Sequence, residues 1–144
     1  MGQVLGIDVG TKTLGLAVSD DAQRVAMPLT VIRRAGWTRD LAALAAIVEG
    51  RAITEAVVGL PLNLDGSPGA MSAEADRIVA ALEGLGLVVH REDERLTTVD
   101  AERMLIEADL SRRRRRQVVD KIAATYILQD YLDRAAARGG ADGA

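Results

Sequence analysis

Hydrophobic and polar positions along the chain alternate between short and long periods. Residues 3–9, QVLGIDV, form a near-continuous apolar run, as expected of a strand covered on both faces. GTKT at 10–13 is turn material and LGLAVS at 14–19 reads as a second strand, so the two make a hairpin. A third strand is expected near 28–33. Between 38 and 51, Leu41, Leu44, Ala45, Ile47 and Val48 recur at helical spacing, with Thr38 as N-cap. EAVVGL at 55–60 is a short strand halted by Pro61, and PLNLDGSPG is loop. An amphipathic helix spans 72–85 and ends in Gly84 and Gly86; LVVHR at 87–91 returns to strand. After DERLTT, Thr98 opens a helix to about 108, and the arginines from 112 connect to a last helix over roughly 115–137.

That order places an antiparallel set first and right-handed crossover units after it. The fold class is therefore α/β: a mixed five-stranded sheet, three antiparallel strands and then two parallel ones, with helices on both faces. No repeat or linker divides the chain, so one domain is expected over 1–138, with a flexible tail at 139–144.

Asp8 breaks the apolar pattern of the first strand. An uncompensated carboxylate in an apolar setting costs roughly several kcal/mol even after relaxation. A salt bridge, backbone N–H donors or a metal ion would each compensate it; alternatively Asp8 initiates and caps the glycine turn that follows. Open α/β sheets build sites beyond the carboxyl ends of their parallel strands. Asp8 lies near the end of the first strand, and Glu94 follows the strand at 87–91 within a few residues. If those strands are parallel neighbours, both acids face one crevice. On the last helix Asp120, Ala124 and Ile127 share a face, and that otherwise apolar face would carry Asp120 toward the sheet. Three converging acids repel each other. A pair of hard cations, Mg²⁺ or Mn²⁺, suits such an all-oxygen donor set.

Composition narrows what this site can serve. With 49% hydrophobic and 27% charged residues, the chain is globular rather than disordered or membrane-spanning. No apolar stretch reaches bilayer length and no signal-peptide pattern opens it, so a cytoplasmic protein without a membrane partner is expected. The lack of cysteine excludes disulfides, thiolate metal sites and Cys nucleophiles. The net charge of −3 hides an asymmetry: residues 110–121 carry six positive charges and one negative, leaving −8 on the remainder. One basic spot on an acidic body suits local contact with a polyanion.

GIDVGTKTLGLAVSD (6–20), VVGLPLNLDG (57–66), DERLTT (93–98) and DKIAATYILQDYL (120–132) together resemble the YqgF/RuvX family. Its fold is RNase H-like, and its members are described as Holliday-junction resolvases or pre-16S ribosomal RNA nucleases. The matching stretches run from end to end of the chain. The resemblance implies that Asp8, Glu94 and Asp120 are a metal-binding catalytic triad for phosphodiester hydrolysis. It also implies a nucleic-acid partner, either a ribosomal RNA precursor or branched or linear DNA. A junction cleaver would want two active sites, hence a homodimer. Two departures stand out: the family often has Arg where Thr13 stands, and usually an aromatic in the helix that here reads EADRIVAALEGL.

Cations beside these acids are the candidate phosphate contacts. Lys12 lies in the turn after Asp8, and Arg112, Arg113, Arg114, Arg115 and Arg116 precede Asp120 by a few residues. Releasing counterions from a phosphate backbone supplies most non-specific affinity, although turn lysines and arginine runs are also ordinary solvated surface. Arg95 and Asn63 are further contact candidates, and Thr11 and Thr97 would brace the ligands. The plain alternatives are an ion pair between Glu94 and Arg95, a macrodipole role for Asp120, and helix capping by Thr97 and Thr98. GIDVGTKT is a near miss of a P-loop, one residue short and followed by a strand instead of a helix. His90, Trp37, Tyr126 and Tyr131 read as structural. Two rival classes remain. A sugar-kinase or actin-like ATPase needs two lobes, which 144 residues do not supply. A non-catalytic nucleic-acid-binding factor assisting ribosome assembly would bind without cleaving.

Overall fold

A computed structural model describes residues 2–60, 72–93 and 112–142, and its centre is one sheet in the order β3-β2-β1-β4-β5. The strands are β1 Val4–Val9, β2 Thr13–Ser19, β3 Ala26–Arg33, β4 Glu55–Leu60 and β5 Val88–Asp93. The helices are α1 Trp37–Gly50, α2 Ser72–Gly84 and α3 Arg112–Asp142. β1, β2 and β3 pair antiparallel, while β4 joins β1 and β5 joins β4 in parallel. This is the mixed sheet the alternation predicts. β1 is buried along its whole length because a central strand covered on both sides has no polar face to show.

Side-chain alternation along β1 divides the core in two. Leu5 and Ile7, with Leu14 and Leu16 of β2, meet Leu44 of α1 and Ile78 and Leu82 of α2. On the other face Val4, Ala17 and Val57 pack against Ala123, Ala124, Ile127 and Leu128 of α3. A Cβ at Gly6 would stand 2.8 Å from Leu128 Cβ and 3.1 Å from the Ala124 carbonyl oxygen, so glycine lets α3 lie close upon β1. α3 runs antiparallel to β1. The Gln129 side chain accepts the Ala26 N–H (2.8 Å) at the sheet end where the Val4 N–H reaches the Ser19 hydroxyl, whereas Gly6 meets earlier helix positions.

Three expectations are corrected. The N-cap of α1 is Gly36, at φ 111°, rather than Thr38, because that backbone conformation suits glycine. In place of a threonine hydroxyl, Asp40 in the first turn reaches back to accept the Ala35 N–H at 2.9 Å. The last helix starts earlier than about 115: α3 begins at Arg112, so Arg112, Arg113 and Arg114 are helix rather than connector, and arginine is a good helix former. Finally, β5 is parallel to β1 but is not its neighbour, since the second crossover adds its strand outside β4. The helix expected over 98–108 lies outside the described residues. Among those described, no helix is long and apolar enough to cross a membrane.

Candidate active site at the carboxyl end of β1

Asp8 is the penultimate residue of β1 and is 6% exposed. Period-two alternation puts it on the face of Val4 and Gly6, the one α3 covers. Register then fixes its level. Ile7 pairs with Val58, so Asp8 stands level with Gly59, and Gly59 pairs with Glu92 of β5. Glu92 is directed to the same face, where it forms an ion pair with Arg134 of α3. Two buried acids thus flank a glycine in one row, with two strand spacings, or about 9.6 Å, between their backbones.

Glu92 is absent from the sequence-derived candidates. Its signal is the shared parity of His90 and Glu92 in VVHRED, but parity gains meaning only once the helix covering that face is known.

The turn after β1 is tightly held. The Gly10 N–H donates to the Thr13 carbonyl at 2.9 Å, and a Cβ at Gly10 would lie 2.9 Å from that same oxygen. Thr11 and Lys12 stand exposed at its tip, close in sequence to Asp8. Arg34, the second of two adjacent arginines at the end of β3, is largely buried behind this turn.

Other candidates are placed less completely. Asp120 and the arginines at 112–116 belong to α3, whose side chains are described from Ile122 to Arg138. Asp120 occupies the helix one turn before Ala124. Glu94, Arg95, Asn63 and Thr97 lie outside the described residues. Among the described residues no cluster of three His, Asp or Glu side chains could hold a metal ion. Of the three expected ligands, Asp8 alone has its side chain in that set.

At the β5 edge, His90 and Tyr131, read from the sequence as structural, are joined by more than packing alone. His90 Nε2 lies 2.7 Å from Glu55 Oε2, its ring stacks on Tyr131 at 4.7 Å, and the Tyr131 hydroxyl donates to the same carboxylate oxygen at 3.0 Å. Burial, aided by the Glu55 acceptor, pushes the Tyr131 phenol up to about 12. Beside them a cleft of about 420 Å³ is lined by Arg91, Glu92, Arg134 and Arg138 among others.

Comparison with known proteins adds independent information. A family profile described as RuvX, Holliday junction resolvase, matches residues 2–134. A Moorella thermoacetica protein named "Putative pre-16S rRNA nuclease" is 53% identical over 138 residues, covering 95% of this chain and 99% of its own. One of the same name from Paracoccus denitrificans is 52% identical over 134 residues, covering 92% of this chain and 85% of its own. Among solved structures, Thermus thermophilus RuvC in complex with Holliday junction substrate aligns with a TM-score of 0.57 at 15% identity, over 92% of this chain and 96% of that one. A Fowlpox virus resolvase bound to Holliday junction DNA aligns at 0.54 and 14% identity, over 92% and 98%. At such low identity these two speak to the fold, which is RNase H-like. With relatives about half identical over nearly their whole length, and a profile matched almost end to end, the chain belongs to the RuvX family.

Proposed function

We propose that this protein is a divalent-metal-dependent nuclease hydrolysing phosphodiester bonds in structured nucleic acid. The names of its relatives and family point to pre-16S rRNA or to a Holliday junction as substrate, and for the rRNA precursor the reading is processing at its 5′ end. One observation carries the reading: a carboxylate 6% exposed stands at the carboxyl end of the central strand, beside the line along which α3 closes on the sheet. From the contact of Gly6 with Ala124, one side-chain period forward along β1 reaches Asp8. One turn back along the antiparallel helix reaches Asp120. Glu94 follows the last residue of β5 directly in the sequence.

Oxygen donors from Asp8, Glu94 and Asp120 fit Mg²⁺ or Mn²⁺, whose hard charge prefers carboxylates to imidazole. When bound, a pair of such ions supplies the positive charge that the attacking and leaving oxygens of an in-line displacement require. The chain's own side chains bind and orient. Lys12, exposed at the turn tip, meets a non-bridging phosphate oxygen next to the scissile bond. Arg112 to Arg116 take flanking backbone phosphates and set the path of the strand. Arg95 and Asn63 contact substrate as well, while Thr11 and Thr97 brace the acids. Packing of α3 on the sheet keeps bulk water from Asp8, which strengthens each charge contact there. A homodimer would present two such sites to a four-way junction.

The test is parallel cleavage of a 16S precursor transcript, linear duplex DNA and a four-way junction with Mn²⁺. At least one should be cut, and excess EDTA should stop the reaction until metal is restored. Activity in EDTA would remove the metal from the mechanism. Binding without cleavage of any substrate would favour the non-catalytic ribosome-assembly factor instead.

A further inference from the structure

Behind the turn that carries Lys12 lies a guanidinium with every side of its fork engaged. Arg34, whose side chain is 13% exposed, donates from Nη1 to the Gly10 carbonyl at 3.0 Å and from Nη2 to Glu74 of α2 at 2.8 Å. Its Nε lies 3.4 Å from Asp40 of α1, and its backbone N–H donates to the Lys12 carbonyl at 2.9 Å. Asp40, 2% exposed, is itself anchored by the Ala35 N–H. The Arg34 guanidinium also lies 5.1 Å from the Trp37 ring, which Arg77 of α2 covers at 4.0 Å. Two carbonyls of one four-residue turn are therefore tied through a single residue to the first turns of two helices.

We propose that Arg34 is a positioning residue for the hydrolytic reaction, clamping the Gly10–Lys12 backbone so that Lys12 is presented to the phosphate beside Asp8. This rests on the nuclease reading above. An exposed lysine on a free turn samples many positions, and a misplacement of about 1 Å can cost about 10²-fold in rate. Arginine is required because its planar fork serves three acceptors in fixed directions; a lysine ammonium carries the same charge without that geometry.

Two measurements on the full chain test the clamp. Hydrogen exchange of the Gly10 amide should be at least about tenfold faster in Arg34→Lys, with the β1–β2 ladder amides unchanged. Unaltered exchange at Gly10 overturns the proposal. Kinetics of Lys12→Ala, Arg34→Lys and the double variant give the second readout. Arg34→Lys should lower kcat more than it raises KM, and Lys12→Ala should then cost less than about twofold, against about tenfold in the parent chain. Losses that simply multiply, an Arg34→Lys variant as active as the parent, or a silent Lys12→Ala each overturn it. Should Arg34→Lys fail to fold, Glu74→Ala removes the acceptor of one arm of the fork from a partly exposed position and carries the same two readouts. Failure of the nuclease reading looks different: the parent chain cuts no substrate, while Gly10 exchange still responds to Arg34→Lys.

Discussion

At position 8 the last inward place on β1 that α3 can cover holds a charge where Val4 and Gly6 hold apolar or no side chains. Asn has nearly the same shape as Asp and cannot carry that charge. Asp8→Asn should therefore leave the thermal midpoint within a few degrees and reduce cleavage about 10²-fold or more, since metal-borne charge supplies several kcal/mol of transition-state stabilisation. Wild-type rates in that variant would take Asp8 out of the chemistry. Tyr131 offers a second test. Its phenol, pushed up to about 12, holds its proton more tightly in the folded state than in the unfolded one, whose value is about 10. The associated stability is complete below pH about 10 and is lost as pH rises toward 12. Tyr131→Phe should flatten that decline in urea titrations, while losing about 1 kcal/mol at neutral pH with the bond to Glu55. An unchanged alkaline decline would assign it to another group.

Among the elements, the packing of α3 on β1 decides whether acids distant in sequence can meet. Gly6→Ala would press a methyl against Leu128 Cβ and the Ala124 carbonyl, neither of which is a flexible side-chain end. Destabilisation of about 1–3 kcal/mol is expected. A helix lifted from the sheet should also lose cleavage beyond what stability explains, measured at a temperature where the variant is fully folded. Full activity there would mean that α3's distance from β1 is unimportant to the site. The helix itself was legible from Asp120, Ala124 and Ile127 at their spacing; its early start at Arg112 was not, because a run of like charge reads as connector. Similarly, Thr38 has the chemistry of an N-cap, yet the chain turns at Gly36, and Asp40 satisfies the Ala35 N–H from inside the helix.

Across the whole molecule, charge is divided between an acidic body and the basic opening turns of α3. Replacing Arg112 through Arg116 with Gln should weaken nucleic-acid binding across all sequences. It should reduce the slope of log affinity against log salt by about 1 for each phosphate no longer neutralised. An unchanged slope would return the run to solvated surface. The same replacement should leave Asp8-dependent chemistry at saturating substrate within a few-fold, because the arginines hold the strand rather than the reacting phosphate.

What sequence alone determined was the five strands, the helices over residues 37–50, 72–84 and the last part of the chain, the mixed sheet and its two covered faces, because apolar periodicity reports burial directly. Asp8 also stood out there, since a charge among apolar neighbours is visible without coordinates. Tertiary structure alone decided that Glu92 is level with Asp8, that β4 separates their strands, and that Arg34 is a buried clamp instead of a solvated cation. Register and helix placement join residues dozens of positions apart, and no local period encodes which distant backbone a side chain will meet.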